Sequence, residues 1–232
     1  MKLTILGKFG PYPQDINTAC SGYLIEQDDT KILVDCGSGV LARLISLINV
    51  NDLSAIYLTH LHFDHTSDLL PMGYLLDDLN KDLPVYTHLT DSPYEQILFK
   101  NKHFKQNHID GSSILQIGNL KLTFYKMDHP LINHGVLIEG DVKLGITGDT
   151  KYCENVLKLA NNCDYLLADC AKPLGFKGPH MGAEYAIKIA DSTNAIILAT
   201  HASPNMNTTL FENNSKIIPV EELHTYTLTN ER

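Results

Sequence analysis

One short stretch of the sequence, Thr59 to His65 (THLHFDH), constrains the fold of this chain more than any other. Residues 55–59 at its start are apolar and rich in β-forming side chains, which predicts a buried strand. Residues 69–79 after it carry leucine and methionine at helical spacing, which predicts an amphipathic helix. The polar stretch therefore lies at the carboxyl end of a strand, where open α/β sheets place their binding sites.

The same stretch has the composition of a metal site. Neutral imidazole and carboxylate are the ligands that zinc and similar divalent ions prefer. A turn here can direct His60 and His62 toward one ion, and Asp64 and His65 toward a neighbouring ion. Helix capping by Asp64 or Thr66 is the structural alternative, but capping does not require three histidines. We therefore predict a site for divalent metal ions.

Metal-binding side chains also follow later predicted strands. His129, Asp149 and His201 each stand after a β-rich segment, so a sheet would bring them to the same edge. Two sets of ligands are predicted, with one ion held by His60, His62 and His129, a second ion held by Asp64, His65 and His201, and Asp149 as the bridge between the ions. Such a pair of ions can supply a bridging hydroxide as the nucleophile of a hydrolase.

The charge of this predicted site indicates a class of substrate. Two divalent ions, the carboxylates Asp64 and Asp149 and one hydroxide leave about one positive charge. A phosphodiester carries one negative charge, and its transition state places more charge on oxygens that face the ions. A neutral carboxylic ester or lactone would also react, but it would gain less from the excess charge.

Three residues outside the ligand set are candidates for supporting roles. His180 stands just before a predicted helix, where amide donors favour an anion. It is predicted, with Asp64, to be catalytic, and it would contact a phosphate oxygen or protonate the leaving alkoxide; a surface histidine is the alternative. Asp35 and Asp169 end strands and either orient ligand histidines or serve the turns there. The remaining histidines are interpreted as surface or locally hydrogen-bonded residues: His88, His103, His108, His134 and His224.

Length and composition indicate an ordinary globular protein. With 232 residues, one domain over residues 1–232 is expected. A net charge of −9 argues against a broad basic surface for nucleic acid. The five cysteines form no C-x-x-C pair and no apolar run could span a membrane, so a cytoplasmic protein with reduced thiols is expected. The strand and helix pattern occurs twice, in 1–110 and 111–232, with a loop predicted over 101–113.

The ordered set of candidate ligands resembles a known family. His60-x-His62-x-Asp64-His65, followed by His129, Gly148-Asp149-Thr150 and His201, is similar to the five motifs of the metallo-β-lactamase fold. The resemblance spans almost the whole chain. It implies an α/β fold of four layers, an αββα sandwich, with a dinuclear metal site between the sheets. Zn²⁺ is the ion usual in that family, with Mn²⁺ and Fe²⁺ as the alternatives.

Differences at single positions separate the branches of this family. The β-lactamases that use metal carry a cysteine where Asp149 stands, and the oxygen-reducing diiron branch carries a glutamate where His62 stands. Glyoxalase II and the lactonases place the third histidine in a different local sequence from the one around His129. The ribonuclease Z-like phosphodiesterases are more similar, since they share Asp35-Cys36-Gly37 and an element resembling His180 to Ala186.

The resemblance also indicates the size of the substrate. Ribonuclease Z proper carries a long arm that binds transfer RNA, commonly between the third and fourth ligand motifs, whereas only a short hairpin separates His129 from Asp149. We therefore expect a phosphodiesterase for small phosphodiesters, such as a cyclic nucleotide or a short oligonucleotide. Three alternatives remain: a carboxylic ester or lactone hydrolase, a ribonuclease Z-like tRNA 3′ endonuclease, and a non-catalytic metal-binding or nucleic-acid-binding module. Relatives often form homodimers, although the sequence indicates no interface, and no membrane partner is expected.

Overall fold

The computed structural model describes residues 1–204 and 206–230, and within them the strands form two seven-stranded sheets. The first sheet contains β1 (Lys2–Gly7), β2 (Gly22–Gln27), β3 (Thr30–Val34), β4 (Ala55–Tyr57), β5 (Leu83–Thr87), β6 (Phe104–His108) and β14 (Thr225–Thr227). Their order is β14-β1-β2-β3-β4-β5-β6. Strands β3 to β6 are parallel to one another, so their carboxyl ends share one edge.

The second sheet repeats this plan. It contains β7 (Ile114–Ile117), β8 (Leu120–Lys126), β9 (His134–Glu139), β10 (Lys143–Ile146), β11 (Tyr165–Asp169), β12 (Ile196–Thr200) and β13 (Ile217–Pro219). Their order is β13-β12-β11-β10-β9-β8-β7, and β10 to β13 are parallel. The structure therefore has the two similar halves predicted for 1–110 and 111–232, with one exception: β14 (Thr225–Thr227) comes from the second half and pairs with β1 in the first sheet.

Helices cover the outer faces of both sheets. They are α1 (Val40–Leu47), α2 (Phe63–Thr66), α3 (Leu69–Leu79), α4 (Pro93–Leu98), α5 (Glu154–Asn162) and α6 (Ala183–Ser192), with short 3₁₀-helices at Val50–Asp52 and Thr208–Phe211. No helix in the described part of the chain is long and apolar enough to cross a membrane.

Alternation along each buried strand decides which layer a side chain joins. On β3, Ile32 and Val34 pack into the core between the sheets, whereas Leu33 packs against the helices of the first half. On β11, Leu167 faces the central core and Leu166 faces α5 and α6. Because successive strand residues point to opposite faces, strands buried on both sides need the continuous apolar runs seen here. The result is the predicted αββα sandwich.

One prediction about an element is wrong. Residues 101–113 were expected to be a loop, but β6 (Phe104–His108) pairs in parallel with β5 at the edge of the first sheet. Within β6 only Phe104 is buried. An edge strand with one buried side chain does not need an apolar pattern, so its sequence resembles that of a loop.

Candidate metal centre

The carboxyl ends of the strands deliver the predicted ligands to one place between the sheets. His60 follows β4, Asp149 follows β10, His201 follows β12 and His129 follows β8. His62 immediately precedes α2, which carries Asp64 and His65. All of the predicted ligands therefore come together, although as many as 137 residues separate contacting members.

The first group consists of His60, His62, His129 and Asp149, whose nearest polar atoms all lie within 4.8 Å of one another. The Nδ1 atom of His62 is 2.9 Å from Nε2 of His60 and 3.3 Å from Nε2 of His129. Donors bound to a tetrahedral zinc ion at about 2.0 Å lie roughly 3.3 Å apart. The spacing of these nitrogens therefore fits one ion.

The second group consists of Asp64, His65, Asp149 and His201, again within 4.8 Å. Nε2 of His65 is 3.2 Å from Oδ1 of Asp149, and Nε2 of His201 is 3.3 Å from that oxygen and 3.4 Å from Asp64 Oδ2. Nε2 of His65 and Oδ1 of Asp149 are buried and make no hydrogen bond to any described residue. Buried polar atoms normally have a hydrogen-bond partner, so these two atoms without one fit the ligands of a second ion. Asp149 belongs to both groups.

Hydrogen bonds at Nδ1 of His60 and of His65 leave Nε2 of each ring free for a metal. Asp35 is buried and accepts hydrogen bonds from Nδ1 of His65 at 2.8 Å and from the backbone N–H of Thr59 at 2.9 Å. The Thr59 hydroxyl also donates to Asp35 and lies 3.1 Å from Nδ1 of His60. Because each Nδ1 is held as a donor, the Nε2 lone pairs face the centre. Asp35 therefore makes the contacts expected of an orienting carboxylate.

Asp169 makes corresponding contacts in the second half. Its Oδ2 atom is 2.8 Å from Nδ1 of His180 and accepts the backbone N–H of Thr150 at 3.0 Å, while Oδ1 lies 3.4 Å from Nδ1 of His201. Nδ1 of His129 donates to a backbone carbonyl, that of Pro179, at 3.3 Å.

Burial and nearby charges shift the pKa values of the histidines in opposite directions in the two groups. Burial lowers the pKa of His60 well below its ordinary value, and burial also lowers the pKa of His62 and of His129. Burial alone would lower the pKa of His201 too, but Asp149 and Asp169 outweigh it and raise that pKa to about 9. Burial therefore favours the neutral form of the three histidines in the first group, which is the form that binds metal.

The carboxylates of the second group remain ionised despite their burial. Burial alone would raise the pKa of Asp149, but His201, His65 and His60 hold it well below its ordinary value. Burial would also raise the pKa of Asp64, yet His201 and His65 lower it. The buried carboxylates therefore stay anionic and favour positive charge beside them, which raises the pKa of His65 as well as that of His201. A bound cation would supply that positive charge in place of the protons.

His180 lies beside both groups. Its ring stacks on that of His201 with centroids 4.7 Å apart, and its centroid is 5.7 Å from that of His129. The side chain is 15% exposed, so it lines the open side of the centre. In this position it can transfer a proton to, or bind an oxygen of, a molecule at the two groups.

Sequence reasoning missed the surroundings of other residues. His88 and His134, interpreted as surface or locally bonded, are both buried, and their ring centroids lie 5.8 Å apart. Buried His103, also in that set, keeps its predicted local bond, to Asp82 at 2.8 Å. Gly10 has no part in the site predicted from the sequence, yet its backbone packs directly on His201. The periodicity of a sequence gives no signal for such contacts between distant loops.

Residues 30–201 match the model of the β-lactamase superfamily domain. The chain is 32% identical over 212 residues to the probable metallo-hydrolase YhfI of Bacillus subtilis (strain 168), covering 87% of this chain and 86% of YhfI. It is 28% identical over 156 residues to ribonuclease Z of Methanopyrus kandleri, covering 66% of this chain. That match spans only 55% of the ribonuclease Z.

Solved structures show the same architecture. The crystal structure of the metallo-β-lactamase fold protein YhfI from Bacillus subtilis matches with a TM-score of 0.89 and 28% identity, covering 97% of this chain and 98% of that one. The short form of human tRNase Z matches with a TM-score of 0.80 and 16% identity, covering 98% and 99%. At 16% identity the second likeness shows the fold alone.

Proposed function

The chain belongs to the β-lactamase superfamily, and from that premise we propose that it is a metal-dependent phosphodiesterase that hydrolyses small phosphodiesters. The observation that carries this proposal is the pair formed by His180 and Asp169, 2.8 Å apart, at the open side of the ligand groups. An alkoxide leaving a phosphodiester needs a proton, and an imidazole oriented by a carboxylate can supply one. The ribonuclease Z relative is named for cleavage of the same kind of bond.

We propose two divalent ions as cofactors, with His60, His62 and His129 holding one, Asp64, His65 and His201 holding the other, and Asp149 shared. Imidazole and carboxylate donors favour Zn²⁺, with Mn²⁺ and Fe²⁺ as alternatives. Two such ions would lower the pKa of a water and stabilise charge on phosphoryl oxygens.

In this proposal, other side chains donate the proton, orient a ligand histidine and fix the second ion. Asp169 accepts the Nδ1 proton of His180, so the proton for the leaving oxygen comes from Nε2. Asp35 keeps His65 in one orientation. Asp64 has two roles in the proposal, as a ligand and as a catalytic carboxylate that fixes the second ion next to the substrate.

A small substrate is favoured over transfer RNA. Between His129 and Asp149 the chain forms only the hairpin of β9 and β10, and the resemblance to ribonuclease Z places a tRNA-binding arm in that interval. The net charge of −9 also disfavours a long polyanion. A cyclic nucleotide or a short oligonucleotide meets both conditions.

The test uses one preparation, loaded with Zn²⁺ or Mn²⁺, against two panels of substrates. Bis(p-nitrophenyl) phosphate and cyclic nucleotides should be hydrolysed, a chelator should abolish turnover, and added metal should restore it. Fully loaded protein that hydrolysed only lactones or carboxylic esters would refute the phosphodiesterase proposal in favour of that alternative. Metal binding without any turnover would favour a non-catalytic module.

The role of His180 can be tested separately. His180→Ala should slow hydrolysis of a cyclic nucleotide by about 10²- to 10⁴-fold with no change in metal content. The loss should be smaller for bis(p-nitrophenyl) phosphate, because p-nitrophenolate leaves without a proton. His224→Ala, at an exposed position, is the matched control. Loss of metal from His180→Ala would instead make His180 a ligand.

A further inference from the structure

Lys172 is a buried cation that has no carboxylate partner among the described residues. The residue is only 3% exposed. Within the described part of the chain, its Nζ makes one hydrogen bond, to the carbonyl of Gly10 at 3.4 Å. Among the described residues no carboxylate oxygen lies within 4.0 Å of that nitrogen. An ammonium group has three donors, and burying its charge unpaired is costly, so this position favours an anion from outside the chain.

Lys172 is linked to the ligand groups through its contacts with Gly10 and Gly182. Its one partner, Gly10, packs so closely on His201 that a Cβ there would be 2.0 Å from Nε2, the nitrogen that faces Asp64 and Asp149. The backbone of Lys172 bridges that of Gly182, at the start of the helix that follows His180. The lysine is therefore held between the loop that covers His201 and the segment that carries His180.

The charges around the centre explain why a further cation is useful there. Asp35 and Asp169 are buried carboxylates in contact with the ligand histidines. They add two negative charges to those of Asp64 and Asp149, which removes the positive excess expected from the ligands alone. An anionic substrate then needs positive charge from other side chains at its binding position.

We propose that Lys172 binds a phosphoryl oxygen of the substrate, on the side of the centre next to His201. The inference rests on the proposed function and deepens it, because it makes Lys172 the residue that distinguishes a phosphorylated substrate from a neutral ester or lactone. The ammonium donates to the anionic oxygen while keeping its contact with Gly10. Charge-assisted hydrogen bonds of this kind are roughly twice as strong as neutral ones.

Two variants separate anion binding from anchoring of the loop. Lys172→Gln removes the charge but keeps a donor for the Gly10 carbonyl, and Lys172→Met removes both. Lys8→Met is the matched control, because Lys8 is in the loop that contains Gly10. Like Lys172, Lys8 donates to a backbone carbonyl, that of Val220 at 2.8 Å. Inorganic phosphate is titrated calorimetrically into each metal-loaded protein, and bound metal is measured on the same samples.

Both Lys172 variants should bind phosphate about 10- to 100-fold more weakly than the wild type, with metal content unchanged, whereas Lys8→Met should differ by less than about twofold. The KM for bis(p-nitrophenyl) phosphate should rise by the same factor. Wild-type affinity in Lys172→Gln, or loss of metal from it, would overturn the proposal. If one variant does not fold, the other decides the question.

The outcomes also separate this inference from the proposed function. Phosphodiester hydrolysis by the wild type with unchanged phosphate binding in the variants would refute the role of Lys172 alone. Hydrolysis of carboxylic esters only, together with weaker phosphate binding in the variants, would refute the phosphodiesterase and leave the anion contact standing.

Discussion

Substitution of Gly10 by alanine should disable the second ligand group while leaving the first intact. An added Cβ would lie 2.0 Å from Nε2 of His201, 2.4 Å from Cε1 and 2.8 Å from Cδ2. Ordinary contact begins at 3.4 Å, so the loop and the ring must separate by about 1.4 Å, the difference between these distances.

The imidazole of His201 has little room to retreat. Its ring is stacked between those of His65, at 5.5 Å, and His180, at 4.7 Å, and Nδ1 faces Asp169 at 3.4 Å. Overpacking of this kind costs about 1–3 kcal/mol in the free energy of unfolding. A metal ligand must also stay within about 0.2 Å of its proper distance, so a displacement near 1 Å should weaken binding of the second ion at least about tenfold.

Metal analysis after dialysis against a weak chelator measures this effect. The wild type should retain two ions and Gly10→Ala one, with phosphodiester turnover lost together with the second ion. Gly111→Ala is the matched control, since its added Cβ would also face a histidine ring, that of His134, but at 3.8 Å. If Gly10→Ala retained two ions with wild-type affinity and activity, the steric reasoning and the assignment of His201 would both be refuted.

Three further predictions concern the support of the site and its response to pH and metal. Asparagine can adopt the left-handed backbone of Asp35, whose φ is +60°, so Asp35→Asn should fold but lacks the negative charge next to His65. Metal affinity should therefore fall about 10- to 100-fold in a metal titration. Unchanged affinity would contradict the orienting role of Asp35. Burial, with a smaller contribution from His134, lowers the pKa of His88 from 6.5 to about 4. Below pH 6.5 the unfolded chain therefore binds a proton at His88 that the folded protein does not bind. The free energy of unfolding should fall by up to about 3 kcal/mol as the pH drops to 4. Denaturant titrations of His88→Gln should lack this part of the pH dependence. Removal of metal should lower the melting temperature, since ions at 100 times their Kd stabilise by about 2.7 kcal/mol, and calorimetry that shows no shift on chelation would argue against binding to the folded state.

Local patterns in the sequence predicted the parts of the molecule whose causes are local. Buried strands need apolar runs, so the strand predicted over residues 55–59 was found at Ala55–Tyr57, shorter by two residues. Metal chemistry restricts ligands to a few residue types, so the histidines and aspartates at strand ends stood out without coordinates. The edge strand β6 was missed because only Phe104 is buried in it, which leaves its pattern polar.

The sequence by itself thus determined the repeated pattern of strands and helices, the set of candidate ligands and the kind of ion that they suit. The αββα architecture followed from the resemblance of the ligand motifs to a known family. Only the tertiary structure decided that Gly10 packs on His201 and that Asp35 and Asp169 contact the ligand histidines. It also decided that Lys172 is buried, with no carboxylate partner in residues 1–204 and 206–230. These contacts join segments far apart in the chain, 162 residues in the case of Lys172 and Gly10. No local periodicity encodes such contacts, because they arise only when the two sheets pack and bring their loops to one edge.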